Sequence, residues 1–354
     1  MPPEISATQA PSISAYTKLV SRRFWWLLIV LASLLAVIIV DILVGPAFLN
    51  VWDVLKALVT PQSASDPTVY VIVHSIRLPM TLMAIVVGAS LGVAGVQMQT
   101  ILGNPLASPY TLGFSAAAGF GAALTILFGF QLPLIPEFTV PFVAFVAAGC
   151  ACAIVYGIAH LRGVTPEIMI LAGIATLFLF QSLQSLLQYL ASPEVLQEIV
   201  FWLFGSMLKA TWFSVSVSAS ILVICFLLLF KDAWKLTALR LGDERARSLG
   251  IDVHRLRLKV FVIVSLLTSG AVAFVGTIGF VGLVAPHIAR MLVGEDQRVL
   301  MPVSAFMGAI IMVGASIASK LVSPGAVVPI GIVTAIIGVP FLFTLILMGK
   351  KKHW

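Results

Sequence analysis

Residues 24–44 read FWWLLIVLASLLAVIIVDILV, about 21 residues with a single ionisable side chain, Asp41. As a helix rising ~1.5 Å per residue, the run crosses a hydrocarbon layer roughly 30 Å thick. Arg22 and Arg23 precede it and Gly45-Pro46 break it. A cleaved signal peptide would carry an apolar core of only about 7–15 residues. The run therefore reads as a retained helix with its N-terminus inside.

The rest of the chain follows the same pattern. Of its 354 residues 60% are apolar and 10% charged, against roughly 25% charged in a soluble domain, and mean hydropathy is +1.11. A soluble fold has too little polar surface here to cover its core, and the hydrophobicity excludes disorder for most of the length. Further apolar runs lie at 78–101, 109–130, 138–160, 167–191, 211–230, 258–278, 280–293, 300–320 and 329–348, making ten crossings in all. The expected fold is an all-α integral membrane protein. A polar cytoplasmic tail at 1–23 precedes one transmembrane domain at 24–349, and a basic cytoplasmic tail at 350–354 follows it.

Charge supports this count. Ten crossings place seventeen of the 21 Lys and Arg on one side, leaving only Lys56, Arg77, Lys209 and Lys320 on the other. Such a bias puts both termini in the cytoplasm. It also accounts for the net charge of +7, so nucleic-acid binding loses its support.

Cys150, Cys152 and Cys225 are odd in number, sit in apolar runs and have neither disulfide nor zinc spacing. The five histidines do not cluster in any span. Ion-coupled transporters usually hold carboxylates, histidines or ion pairs within the membrane. Here Asp41 is the nearest case, three residues from the outer end of its helix, where it reads as an interfacial carboxylate reaching for water. Sodium coordination by backbone carbonyls of broken helices keeps a secondary transporter open as the rival reading. No G-x-x-x-x-G-K-[ST] phosphate loop occurs, since Gly349-Lys350 lacks both the upstream glycine and the Ser/Thr. Uphill transport would draw its energy from another polypeptide.

Four features stand out. The charged segment 231–259 contains Asp243 as a helix cap, Glu244 in the first turn, Arg245 and Arg247 later and Gly250 as terminator, with Asp252 capping the next helix. Such a helix could receive force from a soluble partner; a plain topogenic basic loop is the alternative. Asn104-Pro-Leu-Ala-Ser-Pro109 joins two apolar runs, and its prolines free backbone groups that need water or a polar lumen. That suggests a cavity edge, with a tight turn as the alternative. Gly88, Gly92 and Gly95, and then Gly276, Gly279 and Gly282, form two small-residue faces for close helix packing. Arg77 and Lys320 are isolated outer cations, either snorkelling anchors or partners for acidic groups of an outer protein.

Five stretches together resemble the permeases of FecCD/BtuC-type ABC importers, which take up iron–siderophores, haem or vitamin B12. They are Ile76-Arg-Leu-Pro79; the run from Gly88 to Gly113 ending NPLASPYTLG; Leu241-Gly-Asp-Glu-Arg-Ala-Arg-Ser-Leu-Gly250; Gly276-Thr-Ile-Gly-Phe-Val-Gly-Leu-Val-Ala-Pro-His-Ile-Ala-Arg290; and Pro329-Ile-Gly-Ile-Val-Thr-Ala-Ile-Ile-Gly-Val-Pro340. They span residues 76–340 in order.

The resemblance implies a BtuC-like type II importer permease in the bacterial inner membrane. Such a subunit pairs with a second permease subunit, identical or homologous, two cytoplasmic ABC ATPases and an extracytoplasmic substrate-binding protein. The chain is then no enzyme and binds no cofactor or metal itself, ATP and Mg being used by the ATPase. Coupling falls on Leu241, Gly242, Asp243, Glu244, Arg245, Arg247, Leu249 and Gly250. The cytoplasmic gate falls on Asn104, Pro105 and Leu106 and on Thr165, Pro166 and Glu167, although Pro166 departs from the small polar residues of the family. Binding-protein docking falls on Arg77 and Lys320. There Met80 replaces a second arginine, Lys320 stands where a third is common and Val328 replaces a frequent Glu; Lys is the poorer bidentate partner. The cargo expected is a ferric siderophore, with haem, cobalamin, another chelate or an oxyanion as alternatives.

Overall fold

The computed structural model describes residues 13–45, 47, 49–59, 67–133, 136–322 and 326–348. The first twelve residues of the N-terminal tail and all of 350–354 lie outside these. The first helix begins within that tail, since α1 runs from Ile13 to Leu43.

The elements that follow are α2 (Val51–Val59), α3 (Pro67–Val71), a π-helical turn (Ile72–Arg77), α4 (Leu78–Ile101), α5 (Phe114–Phe128), α6 (Thr139–Arg162), α7 (Pro166–Leu190), α8 (Pro193–Phe204) and α9 (Trp212–Lys231). Then come α10 (Ala233–Leu239), α11 (Asp243–Ser248), α12 (Val253–Val275), α13 (Val281–Val293), α14 (Gln297–Leu321) and α15 (Ile330–Met348). Among the described residues seven helical segments are long and apolar enough to cross a membrane. Three shorter apolar helices, Phe114–Phe128, Val281–Val293 and Ile330–Thr344, complete the ten expected. The short α8, with Glu194 and Glu198 among its apolar residues, is an element the hydropathy reading passes over.

Local chemistry sets the boundaries. Thr165, Ser192 and Thr211 each accept from a backbone N–H three residues on, and Pro166 and Pro193 begin α7 and α8, where a missing N–H costs nothing. Pro79 lies near the start of α4 in a long helix that continues back through the π-helical turn. A proline removes a donor and crowds the carbonyl four residues earlier, and a π-helical turn accommodates that. Trp212 Nε1 bonds the His74 carbonyl in that turn at 3.0 Å.

The centre of the bundle is α4, packed by α9, α12, α13 and α14, while α5, α6 and α7 form a second group joined to it through α12. The first glycine face works as expected. A Cβ on Gly88 would lie 2.7 Å from the Gly308 carbonyl carbon, and one on Gly95 2.6 Å from that of Gly282. The second set is not a helix face. Gly276 ends α12 with φ +80° and lies against the backbone of Gly205, Gly279 faces open space, and Gly282 packs against α4. The run 276–280 is a break between helices, which needs glycine for its dihedral angles.

Candidate coupling and gate site

The coupling segment begins with backbone geometry. Gly242 is the N-cap of α11 with φ 102°, a conformation that favours glycine, and Asp243 is the first helical residue rather than the cap. The Asp243 carboxylate is turned to another task. Asp252 does cap α12, accepting from Arg255 N–H at 3.0 Å, and Gly250 leaves α11 with φ +78°. Ala246 is buried and fixes the short helix, while Leu241, Glu244, Arg245, Arg247 and Leu249 are exposed. Apolar and charged groups thus share one accessible surface.

Arg257 joins this segment to both expected gates. It is 3% exposed on α12. Its Nη1 and Nη2 donate to Asp243 Oδ2 and Oδ1 at 3.2 and 2.9 Å, its Nε to the Ile101 carbonyl at 2.7 Å, and its Nη1 also to the Val164 carbonyl at 2.9 Å. Ile101 is the last residue of α4, just before Asn104-Pro105-Leu106, and Val164 immediately precedes Thr165-Pro166-Glu167. In the first loop Asn104 Oδ1 accepts from Leu106 N–H at 2.9 Å, and Pro105 and Leu106 are exposed. In the second, Thr165 caps α7. A rigid planar fork with five donors suits this branching contact, which an ammonium could not reproduce. By charge counting Arg257 is one more topogenic cation. The signal that marks it out is a charge on the buried helix face of Val253, Val260, Phe261 and Val264.

Two further ties surround the segment. Asp232, between α9 and α10, accepts from Lys235 at 2.8 Å and from Lys259 at 2.5 Å. Burial pushes its carboxyl up, but the hydrogen bonds and charges of Lys235 and Lys259 outweigh that and hold it below the usual range. Glu295 pairs with Arg240 at 2.5 Å and Arg290 at 3.2 Å, and the Gln297 N–H bonds Thr237 Oγ1 at 3.0 Å. The turn between α13 and α14 is thereby fastened to α10. Alongside, burial raises the Asp296 carboxyl, but Arg298, by side-chain and backbone hydrogen bonds and by charge, and then Arg23 bring it below the usual range.

The outer cations are not isolated. Lys320 is 5% exposed and Asp41 0%, and Lys320 Nζ bonds Asp41 Oδ1 at 2.7 Å and the Asp41 carbonyl at 3.0 Å. Thr81 Oγ1 donates to Asp41 Oδ2 at 2.5 Å. Arg77, 3% exposed, donates to the carbonyls of Ile42 and Leu43 at 2.9 Å and of Ala47 at 2.7 Å. Both cations satisfy the C-terminal carbonyls of α1, which no helical N–H can reach. This corrects two expectations: Asp41 is not a water-facing carboxylate, and Arg77 and Lys320 do not present their charge at the surface.

A cavity of about 710 Å³ lies beside the first of the expected gate loops. Leu106 and Ser108 of the loop line it with Phe204 at the end of α8, Phe280 before α13, and Ile332 and Ile336 of α15, and no charged side chain lines it.

This fold is matched in known transport proteins. The chain is 38% identical over 345 residues to an ABC transporter permease protein of Methanocaldococcus jannaschii, covering 95% of this chain and 97% of that one. It is 35% identical over 332 residues to the permease protein of an Fe(3+)-citrate import system of Bacillus subtilis, covering 94% and 97%. A solved ABC transporter of metal-chelate type, in an inward-facing conformation, superposes with a TM-score of 0.79 at 31% identity, covering 90% of this chain and 98% of that one. The protein is a membrane-spanning ABC importer permease, a transport subunit and not an enzyme. It belongs to the FecCD transport family, whose pattern matches residues 32–348.

Proposed function

We propose that this permease carries a ferric siderophore across the bacterial cytoplasmic membrane by alternating access, with both termini in the cytoplasm. Its partners in this reading are a second permease subunit, two cytoplasmic ABC ATPases that use ATP and Mg, and a binding protein that delivers cargo at the outer face. The observation that carries the mechanism is the Arg257 fork between Asp243 and the carbonyls of Ile101 and Val164. The ATPase closes on the exposed face of α11, Asp243 moves, and Arg257 transmits that displacement to the feet of both gate loops. Asn104, Pro105 and Leu106 open on one side and Thr165, Pro166 and Glu167 on the other. Because the two bonds to the carbonyls of Ile101 and Val164 are buried, little of the motion is lost to solvent exchange there. An uncharged cavity favours brief passage over tight retention, so selection of cargo falls to the binding protein.

The test is uptake of radiolabelled ferric siderophore, haem and cobalamin by cells expressing the wild type or a Glu244→Arg, Arg247→Glu variant, with ATPase co-purification scored in the same membranes. Loss of both uptake and ATPase binding in a normally inserted variant supports the reading. Uptake of haem or cobalamin in place of iron replaces the cargo and keeps the mechanism. Uptake that survives without the ATPase refutes the importer.

A further inference from the structure

Among the described residues one non-glycine has a positive φ. Phe280, with φ 67° and ψ −34°, stands immediately before α13. Across it the Val281 N–H donates to the Gly279 carbonyl at 2.8 Å, closing a γ-turn. An L-residue resists this conformation because its Cβ crowds the backbone. Strain of this kind persists only where the surroundings impose it, and it gathers at functional positions. Here the surroundings are identifiable. Gly338 of α15 lies against the root of the ring, and a Cβ there would come 2.5 Å from Phe280 Cγ and 2.9 Å from Cδ1. Any side chain at 338 would displace the phenylalanine, and the cavity that Phe280 lines together with Leu106, Ser108 and Ile336 is open to receive it.

The same residue begins α13, since its carbonyl accepts from Leu283 and Val284 N–H at 2.9 Å. The far end of α13 is held by Arg290, paired with Glu295, which also holds Arg240 just before the coupling segment. A displacement of that segment can therefore rotate the first turn of α13 and swing the ring.

We propose that Phe280 is a specificity-determining residue of the translocation pathway: its ring, thrust out by the γ-turn and seated on the bare backbone of Gly338, sets the width through which cargo passes. With no charge on the cavity wall, an aromatic face is what the ligand shell of a bulky chelate meets. This inference rests on the importer reading above.

The experiment uses the full transporter in proteoliposomes with its ATPase and binding protein, comparing wild type, Gly338→Leu, Phe280→Gly and the double variant. Assembly, ATP hydrolysis and uptake of two ferric siderophores of different bulk are read for each. Gly338→Leu is expected to assemble and hydrolyse ATP but lose uptake, because the ring is driven into the pathway. Phe280→Gly, which relieves the γ-turn and removes the ring, is expected to restore uptake in the double variant and, alone, to raise the share of the bulkier chelate. Uptake by Gly338→Leu equal to wild type, or an assembled double variant as inactive as Gly338→Leu, overturns the inference. Should Gly338→Leu not assemble, Phe280→Gly alone decides, and an unchanged ratio of the two chelates overturns it. Wild-type vesicles that transport neither siderophore despite ATP hydrolysis refute the siderophore cargo and this inference together; transport by wild type with unaltered variants refutes only the inference.

Discussion

Arg257 and Asp243, fourteen residues apart, meet through two hydrogen bonds of 2.9 and 3.2 Å, and the same guanidinium holds the last carbonyl of α4. Two loops distant in sequence and the exposed helix α11 thus share one side chain. A rigid connection of this kind transmits displacement in either direction. In the proposed mechanism, closing a gate would equally restrain α11, coupling cargo occupancy to ATPase engagement.

The strength of that connection is measurable. Asp243→Ala removes a charge-assisted pair and leaves Arg257 bonded only to carbonyls, which should cost about 1.5–3 kcal/mol. Because Asp243 is half-buried, the low end is expected. Arg257→Lys keeps the charge but loses the branching, so it should destabilise nearly as much as Arg257→Ala. A thermal-unfolding double-mutant cycle in detergent should give an interaction of about 0.5–3 kcal/mol; a value of zero would mean the pair is not formed.

Asp41 and Lys320 make the opposite kind of pair, fully enclosed and 279 residues apart in sequence. Removing one partner strands a buried charge, so Lys320→Met or Asp41→Asn should destabilise by about 3–5 kcal/mol, whereas Asp41→Leu with Lys320→Met should recover most of it. Uptake should follow stability, with the double variant transporting. A stable double variant that no longer engages the binding protein would return Lys320 to the outer surface.

Helix approach at α4 leaves no room for a methyl group. Gly95→Ala would press on the backbone of Gly282 and should cost about 1–3 kcal/mol. Gly149→Ala, on an open face of α6 where nothing lies within 4 Å, should be stabilising by up to about 0.5–1 kcal/mol through helix propensity alone. Melting temperatures of the two variants in one detergent compare them directly.

Asp232 supplies a pH dependence. Burial raises its carboxyl, but Lys235 and Lys259 hold it below its ordinary value, so folding binds fewer protons there than the unfolded chain does. Its stabilisation is complete above the ordinary carboxylate value of about 4 and is lost as pH falls through the depressed one. The difference in melting temperature between wild type and Asp232→Asn should stay constant from neutral pH down to about 5 and narrow below about 4. A difference that changes near neutrality would point to another group.

Much of this architecture is local and therefore readable from residues. Hydropathy located the ten apolar segments, although α1 begins eleven residues before the apolar run that marks it, and Asp252 and Gly250 marked the ends of helices by side chain and by positive φ. What escaped depends on chain crossing. Nothing near Arg257 announces carbonyls 156 and 93 residues away, and Asp41 resembles an interfacial carboxylate until α14 brings Lys320 beside it. The α8 helix escaped for another reason, being too short and too acidic at its start to register as a crossing. Gly276 shares the spacing of a packing face with Gly279, but its role is set by a positive φ that spacing does not encode.

The most direct test of the coupling scheme is ATP-driven uptake of ferric siderophore in proteoliposomes containing the ATPase and binding protein, with Asp243→Asn, Arg257→Lys and wild type compared at equal assembly. Transmission through Arg257 predicts that both variants bind the ATPase and hydrolyse ATP but lose uptake, so that many more ATP molecules are consumed per chelate delivered. Wild-type stoichiometry in both variants would contradict it.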